Sequence, residues 1–323
     1  MAGSSSSNQP LNAGNLVSAA VKIYRSRLNQ FLGVAFTATL WSLPPFLAAI
    51  VLGIVAGLAI PVLSNSGFLI GLLSIILSIV WVVFSCFCLA KSLMNTALIS
   101  RLAQGELTSQ PEAIQAARRH LNPKTWKFLR TWVFAGLFLG GASLVINIAA
   151  RIVIALVLRV FGANSPLTGL VALVLNLAAL VVAYWLQARV FISEVPLAIE
   201  DNINSMDSIR RSWNLSKGFE GQIILMIVIA TLITLPLVIL AFIPFILTLV
   251  ANLSLFAAAA QGGIPSPEGS IALLASLVIS ILLVLFLGIF IIPFWQSLKA
   301  LLYFNLRGRR EGSDLQLRDN LPS

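Results

Sequence analysis

The chain has 323 residues, of which 59% are hydrophobic and 10% charged, and its formal net charge is +10. Ordinary soluble proteins carry roughly 25% charged residues, so a string of soluble domains is excluded. Repeated apolar runs of about 20 residues instead describe a polytopic membrane protein. The runs are rich in Leu, Ile, Val and Ala without strand-like alternation, which selects helices over a barrel. The expected fold is all-α, a helical bundle of about six transmembrane helices with short amphipathic interfacial helices.

The start, "MAGSSSSNQPLNAG", lacks the basic n-region and apolar h-region of a signal peptide. Residues 1–13 are expected to form a disordered tail. A six-span membrane domain over 14–307 follows, and then a polar cytoplasmic tail over 308–323.

The six apolar runs are Phe31–Ile60, Phe68 to about Ala90, about Phe128 to Ala150 or beyond, about Leu167–Leu186, Ile223 to about Val250 and Ile271 to about Pro293. The first and fifth exceed the ~20 residues that cross the ~30 Å core. Pro44, Pro45, Pro236, Pro244 and Pro293 are expected helix breaks that let such runs kink. Cys86 and Cys88 sit within the second run and read as buried thiols.

A short amphipathic segment precedes each odd-numbered run. Val17, Tyr24, Leu28 and Phe31 share a helical face in the first; Ile114, Ala117 and Leu121 do so in the second, and Met206, Ile209 and Trp213 in the third. Leu28, Leu121 and Leu215 recur at nearly equal spacing, so a threefold repeat is expected, with units near 14–107, 108–202 and 203–307.

Nineteen of the 21 Lys and Arg residues fall on one side of this arrangement. The positive-inside rule then places both termini in the cytoplasm of a multi-pass cell-membrane protein. The arginines of "LRGRREG" act as the last stop signal, and Gly312 is an expected helix terminator. The exceptions are Arg151 and Arg159. With the third span starting near Phe128, Arg151 is expected at the outer interface, where it can snorkel. A charged contact facing the bundle interior is the alternative.

The candidate lipid-headgroup residues are Arg25, Arg27, Arg118, Arg119, Arg210, Arg211, Arg307, Arg309 and Arg310. Each lies near a span end or on an interfacial helix, and the arginine fork suits phosphate. Catalysis has no candidates, because no G-x-S-x-G, H-E-x-x-H, Walker-type loop or C-x-x-C occurs. His120, the single histidine, reads as a solvated residue on a basic helix. Glu194, Glu200, Asp201, Asp207 and Glu220 read as a charged collar, with a metal or proton site as the alternative. Gly53-x3-Gly57 and Gly136-x3-Gly140 are small-residue patterns that bring membrane helices close.

The segments "SEVPLAIEDNINSMDSIRRSWNLSKG" (193–218) and "ALLYFNLRGRREGSDLQ" (300–316) resemble the glycerophosphoryl diester phosphodiesterase membrane-domain family. Asn305 stands where that family usually has Asp. The catalytic barrel of those phosphodiesterases has no counterpart in this chain, so hydrolysis does not carry over. The resemblance implies a non-catalytic membrane module with a link to phospholipids or their headgroups.

The expected function is therefore a lipid- or partner-binding membrane module without cofactor, metal or nucleic acid. Its expected partners are anionic membrane lipids, with a membrane protein or a second copy of the chain beside them. A small-molecule or lipid transporter with proline-broken helices is the alternative.

Overall fold

The structure, a computed structural model, describes residues 13–62, 67–162, 165–253 and 267–319. Among them every regular element is a helix, as the composition requires. In chain order these are α1 (Ala13–Ser26), α2 (Leu28–Val62), α3 (Gly67–Leu107), α4 (Ile114–Leu121), a 3-10 turn (Asn122–Lys124) and α5 (Thr125–Phe161). Then come α6 (Pro166–Val190), α7 (Glu194–Ile199), α8 (Ser205–Ser216), α9 (Glu220–Ala251) and α10 (Pro267–Asp319). Six of them are long and apolar enough to cross a membrane: α2, α3, α5, α6, α9 and α10. The order short, long, long occurs three times, beginning at α1, α4 and α8. Residues 1–12 of the expected tail, and 320–323 of the other, lie outside the described residues.

Large apolar side chains on these helices face outward along most of their length, among them Phe68, Val83, Leu144, Val181, Leu232 and Leu247. A water-soluble fold does not leave so much contiguous apolar surface uncovered. Hydrocarbon is the solvent that makes it stable, since each helix satisfies its own backbone internally.

Pro44, Pro45, Pro236, Pro244 and Pro293 do not end their helices, contrary to the expectation of breaks. Each lies within a helix that continues on both sides. Proline removes one N–H and frees the carbonyl four residues earlier, and side chains of neighbouring helices bond the backbone beside two of these prolines. Trp81 Nε1 donates to Pro45 O at 3.0 Å, and the Phe245 N–H donates to Ser280 Oγ at 3.3 Å. Gly312 is likewise no terminator, because α10 runs on to Asp319.

The chain divides into two compact units. One comprises Tyr24–Ile99 and Ile229–Gln296. In it Trp41 meets Phe87 edge-on at 5.8 Å and Ser42 bonds Ser92 at 2.9 Å, which ties α2 to α3. Cys86 and Cys88 are free thiols there, and Cys88 is buried.

The other unit comprises the chain up to Ile23, Ser100–Val228 and the chain from Ser297. Its packed core is mainly apolar but includes many small hydroxyls. Leu102, Leu121, Ile192, Leu197, Leu215, Leu298 and Tyr303 are fully buried, and so are Ser208, Ser212, Ser216 and Ser297.

Helix α8 packs against α5, α6 and α7, with its serines turned inward. Met206 is 46% exposed, whereas Ser205, Ser208, Ser212 and Ser216, spaced three and four apart, form the buried face. Each small hydroxyl permits close approach and finds a carbonyl. Ser205 bonds Lys127 O at 2.9 Å, Ser208 bonds Ser193 O at 2.5 Å and Ser212 bonds Arg189 O at 2.8 Å. Arg189 lies in the last turn of α6, where carbonyls lack a partner in their own helix.

The α5–α6 hairpin, within the same unit, fixes the depth of its own residues. Gly162, at φ +79°, ends α5, a backbone conformation that glycine adopts without a Cβ clash. At the opposite end Phe138 and Trp185 both pack edge-on against Trp213 at 5.8 Å, so those two are level. Phe128, Leu129 and Thr131 are buried in the core of this unit, whereas Trp126 and Trp132 are exposed.

Candidate functional site

The charged residues of the second unit converge into a paired network at the helix ends. Glu200 closes the α7 helix, and its Oε1 accepts Arg211 Nε of α8 at 3.2 Å and the Tyr303 hydroxyl of α10 at 2.5 Å. Arg211 also pairs with Glu311, which accepts Arg307 Nε at 2.5 Å. Burial works against the charge on Arg211. Its hydrogen bond to Glu311 and the nearby Glu200 nonetheless hold its pKa above the ordinary guanidinium value. Buried Lys124 donates to the Glu200 carbonyl at 2.8 Å and to that of Leu197 at 3.4 Å.

A second cluster centres on Arg189, which is only 7% exposed. Its guanidinium lies 5.0 Å from the ring centroids of both Trp185 and Trp213, and Nη2 is 2.5 Å from Glu220 Oε1. Glu220 opens α9, where a helix N-terminus favours negative charge. The pair is nearly dry, so each ion depends on the other.

The five clustered acids thus each have a basic partner, which fits a charged collar. Glu194 pairs with Lys299 at 2.7 Å, Asp201 with His120 at 3.0 Å, and Asp207 with Arg210 at 3.9 Å. Glu200 and Glu220 hold Arg211 and Arg189. Among the described residues no three metal-ligating side chains converge. His120 is more engaged than its basic helix suggests, since its Nε2 also lies 3.2 Å from Lys124 Nζ.

The nine candidate headgroup arginines divide by environment. Arg211, Arg307, Arg309 and Arg310 are spent on internal contacts. Arg309 Nε donates to Asn305 Oδ1 at 3.1 Å, its guanidinium lies over Phe219, and Arg310 donates to the Lys217 carbonyl. Arg27 bonds Gln30 within its own turn at 3.1 Å, and Arg118 is half-buried. Arg25 on α1, Arg119 on α4 and Arg210 on α8 are exposed, one on each short helix.

Sequence reasoning missed Tyr303, Arg189 with its two tryptophans, and the serine face of α8. The serine spacing of three and four was readable, since it repeats with the period of a helix. The pairs joining 189 to 220, or 200 to 303, leave no local signal at all.

Fold and site together define a polytopic integral membrane protein of the all-α class, with a buried polar network among its helix ends. The chain matches no family model, no curated protein and no solved structure.

Proposed function

We propose that this protein is a non-catalytic module of the cell membrane, with both termini cytoplasmic, that holds anionic lipid headgroups at the surface of its short helices. The observation that carries the reading is α8. It buries its serines and turns Met206 and Arg210 outward, as a helix lying in the headgroup layer does. Arg25 and Arg119 give α1 and α4 the same outward charge. Each basic residue near an anionic leaflet contributes about 1 kcal/mol, and salt screens it within ~8–10 Å. Kinship with the glycerophosphoryl diester phosphodiesterase membrane domain agrees with this chemistry and belongs to the same proposal. Glycerophosphodiester hydrolysis does not, because acid–base or metal-assisted hydrolysis needs positioned groups in a wet pocket, and the collar acids each lie beside a basic side chain.

The test compares two triple variants of the full chain by native mass spectrometry with phosphatidylglycerol and phosphatidylcholine. Arg25→Gln/Arg119→Gln/Arg210→Gln is expected to lose most of the preference for phosphatidylglycerol. Arg307→Gln/Arg309→Gln/Arg310→Gln is expected to keep the preference while losing thermal stability. Equal preference in the outward variant and the native chain overturns the proposal.

A further inference from the structure

Arg151 lies on α5 about ten residues before the α5–α6 turn, and Asn176 lies on α6 about ten residues after it. At ~1.5 Å per residue both sit roughly 15 Å from that turn, so they are level. Helix α6 has no length to spare, because its apolar run Leu167–Leu186 only just spans a ~30 Å hydrocarbon core. Asn176 falls at the midpoint of that run, and Arg151 is therefore at mid-depth in the membrane.

Arg151, Asn147 and Asn176 are all exposed. Among the described residues Arg151 makes no hydrogen bond, ion pair or ring contact, and the two asparagine amides reach only carbonyls of their own helices. Intramembrane ionisable residues ordinarily face a protein interior and are paired. Arg151 does neither among the described residues, which include every Asp and Glu of the sequence, so its counter-charge is to be sought outside the chain.

The rest of the same face fits a close neighbour. Gly140, Leu144, Asn147 and Arg151 follow one another at four, three and four residues, one stripe of a helix. A Cβ built at Gly136 or Gly140 meets nothing within 4 Å, so no described residue packs into the small-residue pattern. The most apolar window of α5 has 0% of its residues buried, against 28% for α9.

We infer that this face of α5 docks a transmembrane helix of a different protein, one that carries a carboxylate at mid-depth. The small residues admit its backbone closely, and the carboxylate accepts the planar fork of Arg151. A second copy of this chain does not supply that group, since none of its 11 Asp and Glu residues falls in any of the six apolar runs. Asn147 and Asn176 add amide donors and acceptors at the same level.

The test places the full chain in phosphatidylcholine vesicles at pH 8 with a synthetic 20-residue Leu/Ala membrane peptide bearing a central Glu or a central Gln. Association is read by energy transfer between fluorophores on chain and peptide. The Glu peptide is expected to associate at roughly tenfold lower peptide fraction than the Gln peptide. Arg151→Leu is expected to abolish the difference, Arg151→Lys to retain most of it, and Arg159→Leu to leave it unchanged. Both Arg151 variants change an outward side chain, and unaltered thermal unfolding verifies the fold. Equal association of the two peptides overturns the inference, as does a Glu preference that survives Arg151→Leu. Self-association of the chain that Arg151→Leu removes also overturns it, by assigning the face to a second copy.

Discussion

The hydroxyl of Tyr303 donates to Glu200 Oε1 at 2.5 Å, joining side chains 103 positions apart. Tyr303 is fully buried, and the same oxygen accepts Arg211 Nε. One carboxylate therefore fastens the C-terminal part of α10 and the middle of α8 to the end of α7. A hydrogen bond to a charged group contributes about 1.5–3 kcal/mol. Tyr303→Phe keeps the ring and removes only the donor, so it should lower unfolding stability by about that amount. Thermal unfolding in detergent reads the change, and an unaltered transition would show that the bond contributes nothing.

The Arg189–Glu220 pair should behave differently when broken and when replaced. Its side chains are 8% and 17% exposed, so removing one leaves a nearly dry charge alone, at a cost of about 3–5 kcal/mol. Arg189→Met should therefore be severe. The double variant Arg189→Met/Glu220→Met should recover much of the loss, because no unpaired charge remains. A double variant as unstable as the single would place the whole effect in the Trp185–Arg189–Trp213 stack instead.

The turn after α3 is tight for a backbone reason. A Cβ at Gly105 would meet Gln110 O at 2.9 Å, and Ser109 has φ +55°, a region costly for any residue with a Cβ. Gly105→Ala should destabilise the unit, because backbone cannot swing aside as a side-chain tip can. Ser109→Gly should raise stability by up to about 1 kcal/mol. Matched melting curves of the two variants check the opposite signs, and a stabilising Gly105→Ala would contradict the geometry.

The proposed orientation has its own test. Reporter fusions after Gln104 and Asn202 should read cytoplasmic, and those after Gly162 and Pro267 should read external. The expectation rests on the one-sided distribution of Lys and Arg. An external reading at Gln104 would reverse the topology and with it the leaflet that Arg25, Arg119 and Arg210 face.

Apolar runs alone sufficed for the class and the six membrane helices, because a helix in hydrocarbon satisfies its own backbone and needs only length and composition. The short helices before α2, α5 and α9 were legible from spacing for the same local reason. What each helix turns inward was not. Met206, Ile209 and Trp213 mark an apolar face of α8, but the neighbours on α5, α6 and α7 offer carbonyls, so the serine face is the one buried. Arg307, Arg309 and Arg310 look alike as a charge run, yet tertiary packing gives them Glu311, Asn305 with Phe219, and the Lys217 carbonyl. Arg151 shows the limit most directly. Its charge is legible in the sequence, but its exposure on α5 without an ion pair among the described residues is a product of tertiary packing, which brings no carboxylate to that face.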